Sequence, residues 1–329
     1  MVYKSIFMLS LFVAPLISIV SFSITSVPLL FALYILSGFG MAGIGMGIMH
    51  DAIHGSYVKN KTVNLIMGHT ISLIGANAEV WRLQHNVLHH SFTNIEGYDD
   101  DINAPFFLRF SPHGPINKLH HYQHYYAWFF YGLTTLAWIT TKDFVKYKRY
   151  FNLGLIKDKK AYRNGLVRIS FSKVFYYAFA LVLPLVFSSF SIGMIVAAFM
   201  TMHFVTGLCI TLVFQTAHVL PETDYPTPNE AGSMENERMV HQMMTTSNFA
   251  PKSKVLSWLI GGLTNQIEHH LFPHISHIHY RNIAPIVRQT AEEYGIPYHC
   301  SDTFLTAVIK HFKMLRFLGR MKLQPIYTK

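Results

Sequence analysis

The 329-residue chain is 51% hydrophobic and 15% aromatic but only 13% charged, about half the charged fraction of a soluble domain, which excludes a soluble globule and reads as an all-α integral-membrane protein. Two cysteines, Cys209 and Cys300, cannot supply a disulfide framework or a thiolate metal site, and their scarcity fits a cytosol-facing protein. A formal net charge of +10 suits anionic lipid headgroups or a phosphorylated substrate; nucleic acid is not expected, because the basic residues flank apolar runs instead of forming one face.

The first apolar run covers about residues 5–22 and the second about 28–49, each near the 20 residues that cross a bilayer as a helix. A cleaved signal peptide is disfavoured: Lys4 is the only basic residue ahead of the run, no small-residue cleavage site follows, and a second span comes at once. The pair is expected to be a hairpin turning at Ser23–Pro28. Directly after it comes "HDAIH", whose His50 and His54 are i,i+4 and can point at one atom from a helix.

"QHNVLHH" (Gln84–His90) follows, with Trp81 and Arg82 just ahead of it. On an α-helix His85 and His89 share a face, while His90 turns about 100° away, which predicts His85 with His89 at one metal and His90 at a second. "GYDDDI" (Gly97–Ile102) comes next. Such like-charge runs are ordinarily solvated loops; the functional alternative has Asp99 and Asp100, with Trp81 and Arg82, touching the substrate head at the mouth of an apolar tunnel.

Tyr122–Thr141 is aromatic and apolar with a polar start, which predicts an interfacial or re-entrant helix. Lys142–Lys173 carries ten Lys/Arg against Asp143 and Asp158, a cytoplasmic signature. A second span pair is expected at about 171–190 and 192–214, with Pro184 kinking the third span and "SSFS" (Ser188–Ser191) as the turn. Four crossings then place both termini, and the segments 50–170 and 215–329, on the cytosolic side. His218 lies just past the fourth run. A lone histidine there is ordinarily a hydrogen-bonded interfacial side chain, yet it matches the depth of the first histidine pair, so spacing leaves both readings open.

The third cluster is "QIEHH": Gln266, His269 and His270 at i, i+3 and i+4. Beyond it, Lys310, Lys313, Arg316 and Arg320 lie along one helical side of the tail, a solvated or lipid-surface face, with headgroup contact as the rival reading. A single histidine pair would be an ordinary interfacial feature. Three clusters at matched depth point to a metal site, and imidazoles without thiolates suit iron, zinc, copper or nickel.

The boxes "HDAIH", "QHNVLHH" and "QIEHHLFPHI", with "TTSNFAP" (Thr245–Pro251), resemble those of integral-membrane fatty-acyl desaturases over about residues 30–300. Glutamine at the start of the third box marks the front-end subgroup, which places a double bond between an existing one and the carboxyl end. The resemblance implies a single membrane domain over 1–329, four helices in two hairpins and a cytosolic helical cap carrying the boxes. It implies two iron ions, with zinc able to replace them in an overexpressed sample, held by His50, His54, His85, His89, His90, His218, His269 and His270. Gln266 would bind directly or through water. The remaining twelve histidines are read as non-ligands. Asp51, Asn265 and Glu268, beside ligands in sequence, are candidates for orienting the rings.

Attack on an unactivated methylene needs a metal–oxygen oxidant, so O2 is the implied co-substrate and two electrons must come from a donor. Relatives of this type carry a fused b-type cytochrome domain with an "HPGG" motif. That motif is not present in the chain, which implies a separate b-type cytochrome, or a ferredoxin with its reductase. The substrate is expected to be an acyl-CoA or an acyl lipid. Hydroxylases, ketolases and sphingoid-base desaturases with related boxes are the rivals. A histidine-relay metal transporter is disfavoured, because transporters keep ionisable groups near the midplane.

Overall fold

The computed structural model describes residues 1–21 and 24–321. The structure is mostly helical, and four of its helices are long and apolar enough to cross a membrane: α1 (Val2–Ser21), α2 (Val27–Ile53), then Lys159–Phe187 and Ile192–His218. The expected turn at Ser23–Pro28 begins outside the described residues, as does Phe22 at the end of the first expected span.

Helices α1 and α2 pack along one another. Gly40 permits the closest approach: a Cβ there would stand 2.3 Å from the backbone nitrogen of Phe12, so only glycine lets the two backbones meet. Helix α2 does not stop at Met49. It passes through a π-helical segment, Ile44–Ile48, and continues to Ile53, which carries His50 on the last turns of the helix.

Helix α3 consists of Ala78–Arg82, the π segment Leu83–His89 and a closing turn His90–Phe92. Asn77 caps it, accepting from Glu79 and Val80 backbone N–H groups. The aromatic stretch forms a bent helix α4, built from Gln123–Gly132, Thr134–Ala137 and the π segment Trp138–Lys142, and α5 (Asp143–Asn152) follows directly.

The third long helix, α6 (Lys159–Phe187), begins twelve residues before the expected span. Its basic N-terminal half has no apolar signature, yet helical hydrogen bonding needs none, and Asp158 caps it through Ala161 N–H. Lys173, counted in the basic run, is buried and donates to Asp143 (2.9 Å) and to the carbonyl of Gly75 (3.1 Å). Near Pro184 the helix changes pitch through the π segment Ala178–Val182. Proline has no N–H for the carbonyl four residues earlier, and Tyr34 of α2 donates to that Ala180 oxygen instead (3.3 Å). Ser188–Ser191 leads into α7 (Ile192–His218), which Ser191 caps. Helix α7 packs on α2 and, lengthwise, on α4, and it extends past residue 214 so that His218 is its last residue.

The remaining chain supplies short helices at Arg238–Met244 and Lys254–Leu259, α8 (Gln266–Leu271), α9 (Tyr280–Glu293) and α10 (Phe304–Arg320). Strand β1 (Asn248–Phe249) pairs in parallel with β2 (Cys300–Ser301). On α10, Lys313, Arg316 and Arg320 are exposed, whereas Lys310 pairs with Glu222 at 2.5 Å; residues 322–329 of the expected basic tail lie outside the described residues.

Candidate metal centre

The eight box and span-end histidines converge from four helical segments. His50, His85, His89, His90, His218, His269 and His270 are each at most 4% exposed. They sort into two groups. In the first, Nε2 of His85 stands 3.2 Å from Nε2 of His50 and 3.2 Å from that of His90, and His90 Nε2 is 3.0 Å from His269 Nε2. His54 closes this group, its ring 4.8–5.1 Å from those of His50, His85, His90 and His269. In the second, His218 and His270 oppose their Nε2 atoms at 3.2 Å, with the His89 ring 4.8 and 4.9 Å from theirs.

Two nitrogens each about 2.1 Å from one ion, at 90–109° to each other, stand about 3.0–3.4 Å apart, which is the spacing found. Orphaned atoms point the same way. Nε2 of His54, Nε2 of His89 and both amide atoms of Gln266 are buried without a hydrogen-bond partner among the described residues. Each such atom costs about 1–3 kcal/mol if it stays unsatisfied. The donor set therefore fits metal ions.

His85 and His89, the pair expected from an α-helix, do lie close enough to share an ion with Asp101, but the grouping by shortest nitrogen contacts adds a pairing that an α-helix does not predict. Box two lies in a π segment, where hydrogen bonds run i→i+5, so residues five apart come into register. His85 shares its group with His90, and His89, four residues on, faces the second group.

Outward Nδ1 atoms are held by a shell of partners. His89 Nδ1 lies 3.0 and 3.1 Å from the Asp99 carboxylate, which also accepts from the backbone N–H groups of Asn94 and Asp101. His270 Nδ1 donates to Gln242 Oε1 (2.7 Å), His218 Nδ1 to the carbonyl of Thr245 (3.2 Å), and His269 Nδ1 meets the Tyr280 hydroxyl (3.2 Å). Asp51 approaches His50 Nδ1 at 3.9 Å and accepts from His277 Nδ1 at 2.8 Å, while His277 Nε2 accepts from the buried Lys4 ammonium at 2.6 Å. Such partners fix ring orientation and the nitrogen that faces the metal.

Burial, followed by the neighbouring imidazoles, holds His54, His90, His269 and His270 well below the ordinary histidine pKa, and burial carries His85 down to about 3. These rings are neutral, as metal ligands must be. His89 differs. Burial pushes it down, but the charges of Asp99 and Asp101 outweigh burial and raise it to about 9.

Several expectations change. Asp99 and Asp100 do not form a solvated loop: both are buried, Asp99 against His89, and Asp100 against Arg149, Lys146 and Tyr150, with Asp100 also in a cavity wall. Among the described residues the Asn265 side chain hydrogen-bonds to Thr264, and Glu268 takes Asn248 and Tyr298, so neither makes a hydrogen bond to a box ring there. Arg82 is exposed. Trp81 lies 4.4 Å from the His85 ring, centroid to centroid. Gln242, Tyr280, Asp101 and His277 carried no box-like spacing and were not legible as partners. "TTSNFAP" acquires a structural role: Thr245 holds His218, and Asn248 accepts from Ile267 N–H in the third box.

A cavity of about 660 Å³ adjoins the first group, with Trp81, Gln84, His85 and Phe214 in its wall. The remaining wall is largely apolar, from α4 and α7, and one end carries Asp100, Asp101, Lys142 and Lys146. Its volume falls within the usual range for small-molecule sites, about 300–1,000 Å³.

Residues 25–302 match the sequence model of the family described as fatty acid desaturase. The chain is 38% identical to the acyl-lipid (8-3)-desaturase of Physcomitrium patens, over 97% of this chain and 66% of that protein. It is 34% identical to the sn-1 linoleoyl-lipid 6-desaturase of Arthrospira platensis, over 88% and 77% respectively. For the acyl-lipid (8-3)-desaturase of Mortierella alpina the identity is 32%, over 87% and 64%. The chain thus spans about two thirds of the moss and fungal proteins and about three quarters of the cyanobacterial one.

Proposed function

The chain belongs to the fatty acid desaturase family, and from that premise we propose that it is an O2-dependent di-iron enzyme inserting a cis double bond into a fatty-acyl chain, on the carboxyl side of an existing one. The observation that carries this reading is the convergence of eight histidines in two groups, the first of which reaches the wall of an apolar cavity through His85. The overall reaction converts a CH2–CH2 pair, O2, two electrons and two protons into CH=CH and two waters.

His50, His54, His85, His90 and His269 would hold one iron, and His89, His218 and His270 the other, with Gln266 adding its amide directly or through water. Bound there, the irons would supply the O2-derived oxidising power that an unactivated methylene requires. The chain's own residues do the rest. Asp99, Gln242, Tyr280 and the Thr245 carbonyl keep Nδ1 occupied so that Nε2 faces inward. Trp81 and Phe214 line the approach to His85 and exclude water from the reacting carbons.

The relatives are named as acyl-lipid and linoleoyl-lipid desaturases, which supports a lipid-linked acyl chain already bearing double bonds. Regiochemistry has a physical support as well. The cavity's charged end includes Asp101, which comes within 3.9 Å of His85 and 3.6 Å of His89. An acyl head seated at that end keeps the irons near the carboxyl side of the chain. The chain is one membrane domain, its four spans in two hairpins, with the boxes and both termini cytosolic beneath a helical cap. A separate b-type cytochrome, or a ferredoxin with its reductase, supplies electrons.

The test is a host fed saturated, mono-unsaturated and di-unsaturated acyl chains, with new bonds located by mass spectrometry. A new double bond toward the carboxyl end of unsaturated chains is expected. Efficient desaturation of the saturated chain alone would overturn the position, and hydroxylated products would overturn the reaction.

A further inference from the structure

Helix α4 and the start of α5 run the length of the cavity: Phe130, Leu133, Thr134, Ala137, Trp138, Lys142 and Lys146 all face it. Sixteen residues separate Phe130 from Lys146, roughly 24 Å at the helical rise, the length of a long acyl chain. The two ends differ. Near Phe130 the neighbours are Phe107, Leu108 and Phe110. At the other end are two ammonium groups and two carboxylates.

The charges at that end are unevenly committed. Asp100 is taken by Lys146 (3.0 Å), Arg149 and Tyr150. Asp101 accepts from Gln84 at 2.7 Å and faces His85 and His89. Lys142 rests its ammonium 5.1 Å from the centre of the Trp138 ring and makes no ion pair with an acid among the described residues. It is a cation at the charged end of a largely apolar cavity, where Asp100 and Asp101 are engaged by other partners, and burial brings its pKa down only to about 8, so it is charged at pH 7.

We propose that Lys142 holds a phosphate of the acyl donor, seating the head of the substrate at the charged end, with the carboxyl end of the chain toward His85 and the methyl end under Phe107 and Phe130. The inference rests on the desaturase reading and deepens it. Phosphate occurs both in phospholipid headgroups and in the coenzyme A arm, and the chemistry at Lys142 is shared by the two. Direction follows from geometry: Lys142 and Asp101 line the same end of the cavity, and Asp101 lies 3.9 Å from His85 and 3.6 Å from His89, so a head held there counts carbons from the carboxyl end.

The experiment compares purified wild type, Lys142→Met and Lys142→Arg on dilinoleoyl phosphatidylcholine, linoleoyl-CoA and dilinoleoyl monogalactosyldiacylglycerol, which has no phosphate. Lys148→Met, an exposed site on α5, controls for net charge. Lys142→Met should raise KM about tenfold, equivalent to about 1.4 kcal/mol, for a phosphate-bearing donor, with the galactolipid KM unchanged and Lys142→Arg retaining most of the affinity. The donor that responds identifies the source of the phosphate. Equal losses on all three donors, or no change on either phosphate donor, overturn the proposal. Should wild type desaturate none of them, the functional reading fails instead. Quenching of tryptophan fluorescence by spin-labelled phosphatidylcholine against spin-labelled galactolipid then decides Lys142 alone: loss of the phosphate preference in Lys142→Met supports it, and retention overturns it.

Discussion

The two histidine groups are built on different principles. In the first, five imidazoles crowd together, and the outward nitrogens of two of them, His50 and His90, have no hydrogen-bond partner among the described residues, Asp51 coming only to within 3.9 Å of His50; ring number and helix geometry hold the set. In the second, three imidazoles are each tied from behind, to Asp99, to Gln242 and to the Thr245 carbonyl. Few ligands with firm partners can be as well organised as many ligands with loose ones. The difference is that the smaller set has no spare member, and in the proposed centre Gln266, a weaker donor than imidazole, would leave its coordination more open.

That contrast can be broken most severely in the smaller group. His89→Ala, His218→Ala and His270→Ala should each abolish desaturation and reduce bound iron from two per chain toward one, measured by elemental analysis of membrane-inserted protein. His54→Ala should retain more iron than any of the three; equal loss would mean that the larger set has no redundancy. Next in size, Asp99→Asn keeps an acceptor beside His89 but removes the charge that lifts its pKa to about 9. Loss of such a partner lowers metal affinity by about 10–100-fold, read by iron titration. Smaller still, Gln242→Leu should weaken iron binding more than Tyr280→Phe, because the first deprives the sparse group of an acceptor at 2.7 Å and the second costs the crowded group a contact at 3.2 Å.

The mildest effect falls outside both groups. Burial, followed by Lys146, lowers the Lys142 pKa to about 8, against the opposing pull of Asp101 and Asp143, so its ammonium is present below that pH and is lost as pH rises through it. Preference for phosphate-bearing over galactolipid donors should fade between about pH 7 and 9 in wild type, and be flat in Lys142→Met.

Composition made the four long apolar helices legible, because a bilayer demands runs of fixed length. Their ends were not, since a helix such as Lys159–Phe187 continues through basic residues wherever backbone bonding and caps allow. The box residues were legible by type and number. Their sorting was not: spacing arguments assume 3.6 residues per turn, and nothing in "LQHNVLH" announces the π segment that brings His90 beside His85. The acidic run misled for another reason. Sequence alone could not show that Arg149 and Lys146, almost fifty residues on, would neutralise Asp100, or that a histidine would face Asp99. Partners such as Gln242 and Tyr280 come from remote segments, and only the folded chain brings them close.

Lys4 gives the first helix a part in events at the centre. Its ammonium donates to His277, His277 to Asp51, and Asp51 neighbours His50. Trimming the protein past its fourth residue, or hanging a bulky tag ahead of it, is therefore a change made three contacts from a box histidine. It should show first as slow iron loss during purification, well before the protein unfolds.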